Sequence, residues 1–136
     1  MNGKLTQSID NLGRALDRVG EALAEPDTNP LVIDGTIQRF EFALELFWKT
    51  LKRLLEAEGI DAATPRETLK HAFRAGWLTD EAAWLQMLRD RNETSHVYDE
   101  ETARRIHGRI RANHPEMRTV YDRIRARAAS LRADPA

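Results

Sequence analysis

The sequence predicts an all-α protein, an up-and-down bundle of four to five helices. Three observations support this class: apolar residues recur at steps of three and four, no window alternates apolar and polar residues with a period of two, and β-branched residues are sparse. With 136 residues, the chain fits one domain covering 1–136. We expect residues 131–136 to form a frayed tail, because termini without packed side chains are poorly ordered.

The N-terminal half contains two long amphipathic stripes. The first consists of Leu5, Ile9, Leu12, Leu16, Val19 and Leu23, and a proline-bounded segment at 26–30 ends it. The second consists of Ile33, Ile37, Phe40, Leu44, Phe47, Leu51 and Leu54. Phe42, Leu46 and Trp48 widen its apolar surface, which predicts a central helix that contacts neighbours on several sides. Gly59 is expected to end this helix.

Three further helices are predicted in the C-terminal half. Thr64 and Pro65 indicate an N-cap and a first helical residue, opening a short helix that ends at Gly76. The fourth helix begins near residue 81 and runs toward residue 95, and a break around 98–102 precedes the fifth. Pro115 is expected to bend or restart that last helix, because proline lacks the backbone N–H that a helix interior uses.

Composition excludes several classes of function. The absence of cysteine removes disulfides, thiolate metal sites and cysteine nucleophiles. No apolar leader or membrane-length segment is present, so we expect a soluble, cytoplasmic protein. No glycine-rich phosphate loop is present, which disfavours nucleotide triphosphate hydrolysis. Glu67 precedes His71 by four residues, but one such pair more often forms a surface contact than a metal site, so neither a metal nor another cofactor is expected.

The net charge of −1 is unevenly distributed along the chain. Residues 101–136 carry nine cations and four anions, a local charge of +5. All nine cations are arginines: Arg104, Arg105, Arg109, Arg111, Arg118, Arg123, Arg125, Arg127 and Arg132. They could form a solvated helix face, or they could recognise phosphate, for which the arginine fork is suited.

Polar side chains cluster near the end of the fourth helix. At 100° per residue, Trp84, Leu85 and Leu88 share one face, and Arg91, Asn92, Ser95 and His96 are predicted to continue it. Arginine can bind phosphate through a fixed fork of donors, and histidine can move a proton near neutral pH. The pair therefore points to RNA or a nucleotide as ligand. A buried polar network that only fixes helix register is the alternative.

Charged residues on the second helix allow two interpretations. Glu41 and Glu45 lie one turn apart and could be paired carboxylates for acid–base chemistry. Alternatively, they belong to an i,i+4 ladder that ends in a Glu45 to Lys49 ion pair, which is the favoured interpretation. Arg39 and Gln38 lie nearby and could line a ligand groove together with the two glutamates.

The segment from Arg91 to Tyr98 resembles the signature of HEPN domains, in which an arginine precedes a histidine by five residues and a tyrosine by seven. The resemblance extends to segments 37–50 and 64–77 and to Trp84. Within HEPN proteins, the chain is most similar to bacterial members encoded beside a minimal nucleotidyltransferase. The resemblance implies a helical bundle that forms a homodimer, with both copies of Arg91 and His96 facing one cleft.

Site roles follow from the resemblance. In catalytic members the cleft is a metal-independent ribonuclease. Arg91 would then hold and polarise the scissile phosphate, His96 would act as acid or base or orient the 2′-hydroxyl, and Asn92 and Ser95 would support them. The resemblance also implies a toxin–antitoxin pair, in which the partner nucleotidyltransferase would attach a nucleotide to the hydroxyl of Tyr98 and so silence the ribonuclease toxin. An alternative is a non-catalytic subunit that holds a nucleotide or acceptor for that partner. A third possibility is a purely architectural helical adaptor.

Overall fold

The described part of the chain, residues 3–94 and 99–133 of a computed structural model, forms five helices and no strands. The helices are α1 (Gly3–Ala24), α2 (Pro30–Ala57), α3 (Pro65–Arg74), α4 (Glu81–Thr94) and α5 (Glu100–Ala133). This confirms the all-α class and the upper predicted number of helices. No helix among these residues is long and apolar enough to cross a membrane.

Capping residues at the helix ends explain where the chain turns. Asn29 caps α2 by accepting a hydrogen bond from the backbone N–H of Leu31 at 2.9 Å. Thr64 caps α3 in the same way, accepting from the backbone N–H of Glu67 at 3.1 Å. Gly59 and Gly76 follow α2 and α3 with φ of 82° and 83°, in the left-handed region that glycine enters at no steric cost. The predicted ends of both helices are therefore confirmed.

Helix α2 is the centre of the bundle, as its wide apolar surface predicted. It packs against all four other helices. Phe47 contacts the ring of Trp84 on α4 edge to face, with the ring centroids 4.6 Å apart, and both side chains are fully buried. Hydroxyl groups of Ser8 and Thr50 meet at 2.6 Å, which fixes the antiparallel register of α1 against α2.

Helix α5 is continuous through Pro115, so the predicted restart at this residue is wrong. Pro115 lies on the exposed side of the helix, where water can satisfy the carbonyl group that loses its partner. Buried Ile110 and Met117 on either side hold the helix against the bundle, and this packing outweighs the local cost of proline. The helix also continues past the predicted start of fraying at residue 131, to Ala133, and 134–136 lie outside the described residues.

Arginines of α5 attach the helix to the rest of the bundle. Arg118 pairs with Asp17 at 2.7 Å, and Arg127 contacts both carboxylate oxygens of Glu58 at 2.5 and 3.0 Å. Further contacts to side chains or backbone carbonyls are made by Arg104, Arg105, Arg109, Arg111 and Arg123. Most of these arginines therefore make internal contacts. Arg104, Arg105, Arg111, Arg125 and Arg127 are nevertheless exposed, which agrees with the interpretation as a solvated helix face.

His107 is a buried ionisable group on α5, next to the loop between α1 and α2. Its side chain is 3% exposed, and within the described ranges its Nε2 atom has no hydrogen-bond partner. Burial lowers the pKa of His107, and the charges of Arg111 and Arg104 lower it further, against the opposing effect of Asp27. The folded protein therefore favours the neutral imidazole.

Acidification should destabilise the protein through His107. Its pKa is lower in the folded than in the unfolded chain, so the unfolded chain binds the additional proton and the free energy of unfolding falls as the pH drops below about 6.5. We expect His107→Leu to reduce this loss. Urea unfolding of both proteins at about pH 7.5 and about pH 5.5 measures it, because the carboxylates still remain mostly ionised in that window. An equal loss in both proteins would contradict the assignment.

Candidate functional site

The core-facing stripe of α4 consists of Trp84, Met87 and Asp90, with relative exposures of 0%, 1% and 1%. The predicted face contained Trp84, Leu85 and Leu88 and continued to Arg91 and Asn92, so the placement of Trp84 is confirmed and the other positions are corrected. Leu85, Leu88 and Arg91 are half-buried, and Asn92 is exposed. Residues of α4 with the same spacing form two adjacent stripes: Trp84, Met87 and Asp90, and Leu85, Leu88 and Arg91. Contacts of Trp84 and Asp90 with other helices determine that the first stripe faces inward.

Asp90 is a buried carboxylate that sequence reasoning missed. Arg109 on α5 donates to both of its oxygens, from Nε at 2.9 Å and from Nη2 at 2.7 Å. Gln86 adds a third hydrogen bond at 2.9 Å. Bidentate pairing of this kind compensates the loss of hydration of the carboxylate and is geometrically specific. The pair therefore fixes the C-terminal part of α4 against α5, one residue before Arg91.

Arg91 contacts a carboxylate on the central helix. Its Nη2 atom is in hydrogen-bond contact with Oε2 of Glu45, and about a third of each side chain is exposed (33% and 30%). Oε2 also accepts a hydrogen bond from Nε1 of Trp48 at 3.1 Å, and Oε1 pairs with Lys49 at 3.3 Å. The predicted Glu45 to Lys49 ion pair is therefore confirmed, and it belongs to a larger cluster that includes Arg91.

The environment of Glu45 keeps it ionised. Burial raises the pKa of the carboxyl, but hydrogen bonds from Trp48 and Lys49 and the charge of Arg91 together outweigh it, so the pKa is lowered overall. An ionised Glu45 is a fixed acceptor for the Arg91 guanidinium. The carboxylate therefore orients Arg91 at the margin between core and solvent.

The other motif residues fall partly outside the structure. Asn92 lies on the exposed side of α4, next to Arg91. Ser95, His96 and Tyr98 lie outside the described residues, so their predicted convergence with Arg91 stays a prediction. His71 is half-buried on α3, and the neighbouring Glu67 carboxylate accepts a hydrogen bond from the backbone N–H of Ala63 at 3.1 Å.

An open groove of about 680 Å³ runs between α1 and α2. It is lined by Ala15, Arg18, Gly35, Gln38, Arg39 and Phe42. The predicted groove residues Gln38 and Arg39 therefore line an actual depression, whereas Glu41 and Glu45 are not part of its wall. The α1 side of the groove and the exposed Phe42 were not anticipated, because a pattern within one helix does not show which residues of another helix it faces.

Comparison with known proteins identifies the family. Residues 7–126 match the family described as nucleotidyltransferase substrate binding protein like. The chain belongs to this family. This membership confirms the family that the sequence resemblance predicted. That prediction rested on the similarity of the Arg91 motif and of segments 37–50 and 64–77 to HEPN proteins encoded beside a minimal nucleotidyltransferase.

Two individual proteins are similar to this member of the nucleotidyltransferase substrate-binding family. A Haemophilus influenzae protein described as a probable ribonuclease HepT is 37% identical over 84 residues. That match covers 58% of this chain and 58% of the relative, so the chain spans little more than half the length of this curated relative. A crystal structure of a Thermus thermophilus protein superposes with a TM-score of 0.79 at 36% identity, covering 84% of this chain and 98% of that one.

Proposed function

We propose that the protein is the HEPN subunit of a two-gene toxin–antitoxin pair, in which it is a metal-independent endoribonuclease restrained by a minimal nucleotidyltransferase. The observation that carries the proposal is the placement of Arg91, which is oriented by Glu45 at the solvent margin and follows directly after the clamped Asp90. A guanidinium held in this way is suited to bind a phosphodiester. The HepT relative supports the ribonuclease class, and the family description supports the nucleotidyltransferase partner.

In the proposed reaction, the 2′-hydroxyl of the RNA attacks the neighbouring phosphorus and the 5′-oxygen leaves. Arg91 binds the phosphate and stabilises the charge that develops on it. His96 takes the proton from the 2′-hydroxyl or gives one to the leaving oxygen. Asn92 and Ser95 support these two groups. The products are a 2′,3′-cyclic phosphate and a 5′-hydroxyl, and neither a metal ion nor another cofactor takes part.

The proposal includes a homodimer. One copy of the motif supplies only one arginine and one histidine, which are few catalytic groups for acid–base chemistry. A two-fold axis close to Arg91 would bring both copies of the motif into one cleft. Each phosphodiester would then meet two guanidinium groups and two imidazoles. Cytoplasmic RNA is the substrate in this proposal.

Tyr98 is the proposed site at which the partner silences the toxin. Its phenolic oxygen would attack the α-phosphate of a nucleoside triphosphate bound to the nucleotidyltransferase, and pyrophosphate would leave. The nucleotide would place a bulky anion two residues from His96. Phosphate of an RNA substrate would then be repelled from the cleft.

Expression of the protein alone and with its genomic neighbour tests this function. Alone, the wild type should arrest growth and Arg91→Ala should not, whereas Arg66→Ala, which removes an arginine from the first turn of α3, should arrest growth like the wild type. After co-expression with the nucleotidyltransferase, growth should recover. The intact mass of the protein should then increase by the mass of one nucleoside monophosphate group. The mass increase should disappear in Tyr98→Phe. Harmless expression with an unchanged mass would contradict the proposal.

A non-catalytic substrate-binding subunit is the second candidate function. The family description and the groove beside Arg39 favour it, because both are consistent with a chain that holds a nucleotide or acceptor for its partner. In that case the purified protein should bind nucleotide without cleaving RNA. Transfer by the partner nucleotidyltransferase should then depend on this subunit.

A further inference from the structure

The outer face of α2 joins the groove to Arg91. Residues Leu31, Gly35, Gln38, Phe42, Glu45 and Lys49 recur every three or four positions and share this face. Phe42 lies less than one turn before Glu45, which contacts Arg91, and Gln38 lies about 10 Å before Glu45 along the helix axis. A ligand in the groove is therefore close enough to reach the Arg91 site along one helix.

Charge in the groove favours an anion. Arg18 and Arg39 line it, and no carboxylate is among its described lining residues. Arg39 is partly engaged, because it donates to the backbone carbonyl of Arg18 at 2.8 Å and lies 3.8 Å from Glu21. The Arg18 side chain is exposed and, within 3–94 and 99–133, has no ion-pair partner. Arg18 is therefore the cation best placed to receive a phosphate.

Phe42 supplies an aromatic surface at the same place. Its side chain is 63% exposed, although most large apolar residues of α2 are buried. An exposed ring beside a guanidinium suits a nucleotide, because the ring can stack on a base of any identity while the cation contacts the phosphate. The space at Gly35, which also lines the groove, is open, since nothing lies within 4 Å of where a Cβ would be.

The opposite end of the groove limits the direction of a longer ligand. There, toward the N-terminus of α2, a second depression is lined by two carboxylates, Glu21 and Glu25, by the exposed Leu31, and by Arg39, which lines both depressions. Carboxylates repel a phosphate backbone. At that end two carboxylates outweigh one guanidinium, whereas the charge of Glu45, on the way past Phe42 to Arg91, is offset by Lys49 and Arg91. A polyanion that occupies the groove is therefore favoured to extend past Phe42 to Arg91.

We infer that the groove between α1 and α2 is a subsite for one nucleotide unit of a single-stranded RNA, with its base on Phe42 and its phosphate on Arg18. This inference rests on the proposed function, because it takes RNA as the ligand of the Arg91 site. The subsite holds the strand upstream or downstream of the scissile phosphate. It gives affinity without base specificity, since stacking and phosphate contacts are shared by all four nucleotides.

Binding of a short single-stranded oligoribonucleotide with 2′-O-methyl groups tests the subsite, because this probe cannot be cleaved. Phe42→Leu keeps the apolar bulk but removes the ring, and we expect the affinity to fall roughly 10- to 100-fold. Arg18→Ala should weaken binding and reduce the slope of log affinity against log salt by about 0.7. The matched control is Arg14→Ala, one turn earlier on α1, which should have a smaller effect on both quantities.

Several outcomes would overturn the subsite. Unchanged affinity in Phe42→Leu and Arg18→Ala would do so directly. If light scattering shows that Phe42→Leu changes the oligomeric state while RNA affinity stays constant, the face is a contact between copies of the chain. A nucleoside triphosphate that binds as tightly as the oligonucleotide, with the same dependence on both residues, would identify a free nucleotide as the ligand.

Cleavage assays on natural RNA separate this inference from the proposed function. If cleavage requires Arg91 but is unchanged in Phe42→Leu and Arg18→Ala, the result would support the ribonuclease function and contradict the subsite. If oligonucleotide binding depends on Phe42 and Arg18 but the protein cleaves no RNA, the result would support the subsite and contradict the ribonuclease function. Melting temperatures of the Phe42, Arg18 and Arg14 variants should match the wild type, because these side chains are exposed.

Discussion

Replacing His96 by alanine is expected to slow RNA cleavage by about 10²- to 10⁴-fold, the range typical of a lost general acid or base. The measurement is the single-turnover rate constant on a defined RNA, with a chelator present throughout. Binding of the 2′-O-methyl oligonucleotide should change far less, because the imidazole acts mainly on protons that move during the reaction. A loss in the rate constant with retained affinity is therefore the expected signature.

His71→Ala is the matched control for this experiment. It makes the same substitution on α3, outside the proposed cleft, and should cleave RNA at the wild-type rate. An undiminished rate in His96→Ala would remove this histidine from the mechanism. Chelator-sensitive cleavage would instead contradict the metal-independent reaction.

Arg109→Ala should cause the largest loss of stability outside the apolar core. The substitution leaves the Asp90 carboxylate, 1% exposed, without its bidentate partner, and breaking a buried pair in this way costs on the order of 3 kcal/mol. Chemical denaturation at neutral pH measures this cost. Cleavage should also fall at temperatures where the variant is still folded, since the end of α4 that carries Arg91 is no longer fixed.

Arg105→Ala provides the comparison, one turn earlier on the same helix. Arg105 lies 3.9 Å from Glu93, and both side chains are about half exposed (55% and 47%), so its loss should cost less than about 1 kcal/mol. Similar losses in the two variants would show that Asp90 is not specially dependent on its partner. Rescue of Arg109→Ala by Asp90→Asn would support the assignment, because the substitution removes the unpaired charge.

Local sequence patterns were sufficient to predict the helices. The positions of Pro65, Gly59 and Gly76 depend on capping and turn geometry within a few residues, and all three were predicted correctly. The restart at Pro115 was predicted wrongly, because the local cost of proline competes with packing of Ile110 and Met117 that depends on the rest of the bundle. Single-residue signals are therefore informative only where distant contacts do not oppose them.

The candidate site was harder to predict, since its contacts join residues far apart in the chain. Glu45 and Arg91 are 46 residues apart, and Asp90 and Arg109 are 19 apart. Periodicity identified Arg91 as unusual but could not show which of two neighbouring stripes on α4 faces the core. Consequently Asp90, which pairs with Arg109 directly before Arg91, was not identified from the sequence.

The Asp90 to Arg109 pair also affects when activity can arise during synthesis. Proteins are made from the N-terminus, so α1 to α4 leave the ribosome before α5. Until Arg109 emerges, Asp90 has no bidentate partner. The Arg91 segment is therefore not yet fixed in its final position. On the proposed function, a nascent chain that lacks α5 would therefore have no ribonuclease activity. Synthesis of α5 would be the step that completes the site.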